Sequence, residues 1–195
     1  MHHVAILAST NGTDFQAMIE ARDRGEMEGI SLACLVTNKA DCGAVEKAKR
    51  AGIPVHFVDP AGKTRETYDR EVLAVLESYA IDLIALVGYM RIIGGEMVER
   101  YKDRILNVHP SLLPKFAGGM DTDVHAEVLK AGEKETGMTI HIVTEEVDGG
   151  PIVLQKSIPV EPDDTPESLK TKVQALEKEW YPQAIQKMAK GKTVL

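Results

Sequence analysis

Asn107, His109 and Asp148 are the residues whose types and spacing best suit acid–base chemistry. Asn107 and His109 stand two apart at the end of a short apolar run, so in a strand both side chains point to one face. Asp148 stands in an acidic loop whose glycines and proline let the backbone turn sharply toward His109. A carboxylate beside an imidazole raises the pKa of the histidine and orients its ring. The sequence therefore predicts that His109 acts as a general acid near neutral pH.

An Asn-x-His pair alone is also consistent with a structural histidine, since a histidine beside a proline turn is commonly a hydrogen-bonded residue of the interior. Pro110 and Pro114 stop both strand and helix, so the chain leaves the sheet directly after His109. Open parallel sheets bind ligands outside the carboxyl ends of their strands. The position of His109 at the end of a strand, together with the acidic loop at 144–148, favours a role in catalysis over a structural role.

A second candidate site lies near the start of the chain. An apolar run at 4–8 is followed by a turn at 9–14 and by apolar residues at helical spacing. The N–H groups at the start of such a helix, with its dipole, would hold a phosphate beside Gly12 and the hydroxyl of Thr13. The alternative is that Thr13 or Asp14 only caps the helix, and the local sequence leaves both open.

The elements that must position these residues alternate between apolar strands and amphipathic helices. We predict strands at 4–8, 30–37, 54–58, 81–87, 104–108, 136–143 and 152–160, and helices after residue 14 and at 44–51, 65–79, 123–130 and 165–188, with Pro182 as a candidate interruption of the last helix. The two final strands are joined by the Asp148 turn and form an antiparallel pair. The earlier strand–helix–strand segments predict right-handed βαβ connections, and these give a mainly parallel sheet.

Length and composition predict one ordinary globular domain spanning 1–195. The chain is 44% hydrophobic and 27% charged, with a net charge of −7 and basic residues dispersed among acidic ones, which argues against nucleic acid as the main partner. No apolar run has membrane-spanning length, and Cys34 and Cys42 lack metal-ligand spacing. We expect a cytoplasmic protein without metal or membrane partner, and a homodimer is left open.

Two further segments have two interpretations each. Arg65 begins a predicted helix, where a cation opposes the helix dipole, so it either serves a ligand or is a solvated surface residue. The run 88–93 follows the most apolar strand. It either lines a pocket for a flat heterocycle or fills the core.

The chain resembles the phosphoribosylglycinamide formyltransferase family over essentially its full length. The resemblance rests on NVHPSLLP at 107–114 followed by DGGPI at 148–152. It implies a Rossmann-like α/β fold, a mostly parallel twisted sheet of about seven strands with one antiparallel strand near the C-terminal edge and helices on both faces. It also implies transfer of the formyl group of 10-formyltetrahydrofolate to the amine of glycinamide ribonucleotide in de novo purine synthesis.

The resemblance assigns roles to individual positions. Asn107 and protonated His109 would stabilise the oxyanion, and Asp148 would keep His109 charged and help move the proton. The positions for glycinamide ribonucleotide are Gly12, Thr13, Asp14 and Glu177. The positions for the folate are Arg65, Met90, Arg91, Ile92, Ile93, Asn107, Thr144 and Asp148, with His141 in a supporting role near the site.

The chain departs from the family pattern in two places. Its phosphate loop reads TNGTD where the family has GNGSN, so Asp14 puts an acid beside a phosphate. The connection at 115–121, which we predict to be a lid, is longer than the usual form. The alternatives are another formyltransferase, a 10-formyltetrahydrofolate hydrolase, or a non-catalytic folate- or nucleotide-binding module, which the presence of all three candidate catalytic residues disfavours.

Overall fold

The computed structural model describes residues 1–119 and 122–191, with residues 122 and 123 described by their backbone alone. In chain order the elements are β1 (His2–Ala8), α1 (Thr13–Asp23), β2 (Ile30–Thr37), α2 (Gly43–Arg50), β3 (Val55–Phe57), α3 (Arg65–Ser78), β4 (Leu83–Val87), α4 (Gly95–Arg100), β5 (Ile105–His109), α5 (Thr122–Lys130), β6 (Glu135–Ile142), β7 (Ile152–Pro159) and α6 (Pro166–Ala189).

The seven strands form one sheet in the order β3-β2-β1-β4-β5-β6-β7. Strands β1 to β5 pair in parallel, whereas β6 is antiparallel to both β5 and β7. The antiparallel strand thus lies next to the C-terminal edge, and the predicted fold class is confirmed. The strand order reverses between β1 and β4, and sheets of this type bind ligands outside the carboxyl ends of strands at such a reversal.

Alternating residues of the sheet face two separate helical layers. In β1, Val4 and Ile6 pack with α1, α2 and α6, whereas Ala5 and Leu7 pack with α3 and α4. All four residues are completely buried. Because both faces are covered, the parallel strands are continuously apolar, which is the pattern that predicted them.

Two elements differ from the prediction. Helix α4 was not predicted, because it has six residues and buries only Met97, too little for a recognisable helical period. Helix α6 continues without a break through Pro182. Tyr181 donates its hydroxyl hydrogen to the carbonyls of Leu86, at 2.9 Å, and Leu106, at 2.8 Å, so packing against β4 and β5 holds the helix together despite the missing N–H.

Replacement of Gly137 by alanine is expected to lower the free energy of unfolding by about 2–3 kcal/mol. A Cβ at Gly137 in β6 would lie 1.9 Å from the Lys156 carbonyl oxygen in β7, a backbone atom that can move only with its strand. Urea denaturation measures the change. Gly95→Ala is the matched control, since the atom nearest its Cβ, at 3.2 Å, belongs to the mobile Glu145 side chain; equal stability of the two variants would contradict the prediction.

Candidate active site

The carboxyl ends of β1, β4 and β5 open into a cavity of about 740 Å³, within the range of ligand sites. The loops after β1 and β4, the β6–β7 loop and α6 complete its wall. Every position that the sequence assigned to a site lines it except Arg65: Gly12, Thr13, Asp14, Met90, Arg91, Ile92, Ile93, Asn107, His109, Thr144, Asp148 and Glu177.

His109, the last residue of β5, is buried between two acceptors. Its Nε2 donates to the Phe116 carbonyl at 3.0 Å, and its Nδ1 lies 3.3 Å from Asp148 Oδ2. The predicted approach of Asp148 to His109 is therefore confirmed. An imidazolium can donate to both acceptors at once, whereas the neutral ring can donate to one alone.

Asp148 lies between two histidines that belong to the neighbouring antiparallel strands β5 and β6. Its Oδ1 lies 3.4 Å from His141 Nε2 in β6, and its Oδ2 accepts the Gly118 N–H at 2.8 Å. Its backbone φ is +54°, a left-handed conformation that the two following glycines help the turn to reach. The turn thus brings one carboxylate to both imidazole rings.

Asn107 is held by the antiparallel neighbour of its strand. Asn107 and His141 pair across β5 and β6, and the Asn107 Nδ2 donates to His141 Nε2 at 3.1 Å. The His141 Nδ1 lies 3.1 Å from the Ile142 carbonyl, which leaves Nε2 as the acceptor of a neutral ring. An amide nitrogen carries two hydrogens, so the second one is available to a ligand in the cavity.

The His109 pKa differs from the sequence prediction. Burial lowers the pKa of the His109 imidazole, and the opposing effects of the Asp148 charge and the Phe116 carbonyl do not compensate it. The predicted net rise is therefore wrong, because the prediction counted the carboxylate and omitted desolvation. For Asp148 burial would raise the pKa, but the adjacent His141 ring, the hydrogen bond from the Gly118 N–H and the His109 charge together hold it below its usual range.

The first turn of α1 forms the far end of the cavity. Gly12 is the N-cap residue with φ +65°, and no side chain caps the helix, so the capping role considered for Thr13 or Asp14 is not found. A Cβ at Gly12 would lie 2.9 Å from the Ala44 Cβ in α2. The N–H groups at this turn remain available to an anion.

The segment after β4 is fixed to the segment after β1 by Ser9, a residue that the sequence analysis missed. The Met90 N–H donates to Ser9 Oγ at 2.9 Å, and this hydroxyl donates to Asn38 Oδ1 at 2.5 Å. No local pattern marks Ser9, because its partners lie 29 and 81 residues away. The alternative that Met90 and Ile92 fill the core is wrong, since Met90 is 40% and Ile92 54% exposed.

Of the two arginines in the predicted folate site, one lines the cavity and the other does not. The Arg91 guanidinium stacks over the Tyr68 ring, 4.0 Å from its centroid, and lines the cavity. Arg65 is exposed at the start of α3, where its side chain lies beside Gly94, and it does not line the cavity. A role for Arg65 in binding stays a prediction.

The described part of the predicted lid contacts the candidate catalytic residues. Phe116 supplies the carbonyl on His109, and Gly118 supplies the N–H on Asp148. Residues 120 and 121 of the predicted lid lie outside the described residues. Another cavity residue that sequence reasoning missed is His125 in α5, which is 1% exposed and has no signal beyond its helical spacing.

The described residues lack the features of two other classes of site. Within 1–119 and 122–191, no three His, Cys, Asp or Glu side chains are grouped so that they could hold a metal ion. Over the same residues, no helix combines the length and the apolar character that crossing a membrane requires.

Comparison with known proteins gives concordant matches. The family model described as formyl transferase matches residues 2–185. The phosphoribosylglycinamide formyltransferase of Escherichia coli K12 is 38% identical over 97% of this chain and 88% of its own. The trifunctional purine biosynthetic protein adenosine-3 of Gallus gallus is 40% identical over 96% of this chain, which spans 18% of that longer protein.

The fold comparison agrees with the sequence comparison. The crystal structure of glycinamide ribonucleotide transformylase 1 from Symbiobacterium toebii superposes with a TM-score of 0.94, covering 100% of this chain and 91% of the other at 38% identity. The family model and these relatives extend over nearly all of the described chain, including both ends of the cavity. The chain belongs to the formyl transferase family.

Proposed function

We propose that this protein transfers the formyl group of 10-formyltetrahydrofolate to the amine of 5-phosphoribosylglycinamide, giving N-formylglycinamide ribonucleotide and tetrahydrofolate in de novo purine synthesis. The observation that carries the proposal is one cavity with Asn107, His109 and Asp148 in its wall and the uncapped start of α1 at its end. The names of the relatives support formyl transfer and glycinamide ribonucleotide as the acceptor.

The two substrates occupy different ends of the cavity in this proposal. The phosphate of the ribonucleotide lies against the N–H groups at Gly12 and Thr13, and its glycinamide part lies near the buried Glu177 of α6. The folate lies along 88–93 and the loop 144–148, with Arg91 and Thr144 in contact. Its formyl carbon then faces Asn107 and His109.

The side chains of the site support each step of the transfer. The amine attacks the formyl carbon, and the second N–H of Asn107 and the His109 imidazolium stabilise the resulting oxyanion. The Phe116 carbonyl, which accepts the His109 Nε2 hydrogen in this structure, moves away in the proposed step, so that this hydrogen is donated to the oxyanion instead. Asp148 balances the imidazolium charge and receives the amine proton through water. The bond to the folate nitrogen breaks, and that nitrogen takes up the proton from Asp148 through water as tetrahydrofolate leaves, which returns Asp148 to its ionised form.

Turnover of 10-formyltetrahydrofolate is expected only in the presence of glycinamide ribonucleotide. The measurement follows folate absorbance with and without the acceptor, and mass spectrometry identifies the formylated product. Equal turnover without the acceptor would identify a hydrolase and contradict the proposal. Failure to turn over in both arms, with folate binding retained, would indicate another acceptor or a binding module.

The proposal includes the organisation of the protein. We expect 1–195 to act as a single formyltransferase domain in the cytoplasm, without nucleic-acid or membrane partners. A homodimer is left open, and sedimentation velocity over a range of protein concentrations distinguishes it from a monomer.

A further inference from the structure

Asp14 is a buried acid without a complete set of hydrogen bonds in a wall of the cavity. It lies in the first turn of α1, next to Gly12 and Thr13, and is 5% exposed. Its Oδ1 has no hydrogen-bond partner. Desolvation of an ionised carboxylate without partners is costly, so an unpaired buried acid is stabilised either by a proton or by a ligand.

The charged groups around Asp14 do not neutralise it. Helix α6 brings Glu177, Lys178 and Tyr181 to this side of α1, and Tyr181 donates its hydroxyl hydrogen to strand carbonyls instead. In α2, Lys47 donates to the Asn11 carbonyl. Burial raises the pKa of the Asp14 carboxyl from 3.8 to about 6, and the attraction of Lys178 offsets this only in part.

We propose that Asp14 binds the substrate phosphate as a carboxylic acid, donating a hydrogen bond from its side chain to a phosphate oxygen, so that ribonucleotide binding takes up one proton from solvent. The inference rests on the proposed function for the identity of the phosphate ligand. Gly12, Thr13 and Asp14 all line the cavity at the start of α1, so a phosphate held by the N–H groups of this turn is on the side of the cavity that Asp14 lines. Two like charges at this spacing cannot both persist in a buried site, and the added repulsion favours protonation of Asp14.

The proposal requires a specific dependence of affinity on pH. Below about pH 6 the Asp14 carboxyl of the free protein already carries its proton, so phosphate binding takes up little additional proton through this group. Well above that value the free protein is ionised, so each pH unit weakens phosphate binding by about tenfold through this group. Asp14→Asn removes the dependence, because its amide donates a hydrogen at every pH.

The test is isothermal titration calorimetry with glycinamide ribonucleotide and, separately, with ribose 5-phosphate. Titrations near pH 8 in two buffers of different ionisation enthalpy give the number of protons taken up. We expect about one more proton for the wild type than for Asp14→Asn, and a roughly 10- to 100-fold tighter dissociation constant for the variant. Because the phosphate itself titrates near pH 6, the difference between the two proteins is the quantity that tests Asp14.

Asp23→Asn is the matched control, since it removes one negative charge from the exposed end of the same helix, where the Asp23 side chain is 60% exposed and paired with Arg22. The control is expected to take up the same number of protons as the wild type. Equal proton uptake by the wild type and Asp14→Asn would overturn the proposal. Proton uptake with ribose 5-phosphate in a protein that fails to transfer formyl groups would support the proposal and reject the proposed acceptor.

Discussion

His109→Ala is expected to lower kcat for formyl transfer by about 100- to 1000-fold, the usual effect of removing one oxyanion donor. The imidazole is buried beneath the cavity with both nitrogens directed at protein acceptors. Alanine removes the only cationic donor beside Asn107 in our proposed transition state. The segment 88–93, where we propose that the folate binds, is anchored through Ser9, so folate affinity is expected to change by a few-fold at most.

The measurement pairs single-turnover transfer with fluorescence titration of a non-reactive folate analogue. His56→Ala is the control, because His56 lies in the edge strand β3, where it contacts Tyr79 and does not line the cavity. We expect the control to transfer at the wild-type rate. Parallel loss of folate binding and transfer in His109→Ala would mean that the residue is structural.

Asp148→Asn is expected to lower kcat by about 100- to 10,000-fold near neutral pH and to move the pH profile to lower pH. In the proposed mechanism His109 must be protonated to stabilise the oxyanion, so kcat is expected to fall as the pH rises through the His109 pKa. Burial already lowers that pKa, and the Asp148 charge opposes the effect. Without the charge the pKa falls further, so the variant loses activity at a lower pH than the wild type.

The pH dependence of kcat between about pH 5 and 9 distinguishes this effect from simple disruption of the fold. A structural defect would lower kcat at every pH, whereas loss of the charge is expected to be partly rescued in acid. Asp163→Asn, on the exposed turn before α6, serves as the control for removal of one carboxylate. A variant profile that is scaled down without a shift would contradict the assigned role of Asp148.

Local sequence patterns were sufficient to predict where the candidate catalytic residues meet. The two-residue spacing of Asn107 and His109 places both on one face of any strand, and the acidic Gly-Gly-Pro loop predicts the turn that brings in Asp148. The structure has Asp148 Oδ2 at 3.3 Å from His109 Nδ1. Apolar runs with helices between them likewise predict a mainly parallel sheet. The spacing of apolar residues in each strand or helix depends on the local backbone geometry alone, so the sequence shows it directly.

Features that depend on distant segments were decided only by the tertiary structure. The sign of the His109 pKa shift depends on burial by surrounding elements, and Ser9 reaches Met90 across 81 residues. In the sequence Asp14 has the position of an ordinary helix-start residue. In the fold it is buried beside α6, and this burial raises the pKa of its carboxyl. Local sequence was enough to predict the seven strands, the longer helices and the types of the candidate reacting groups, but not the short helix α4. The tertiary structure decided their electrostatics, because desolvation comes from atoms that lie far away along the chain.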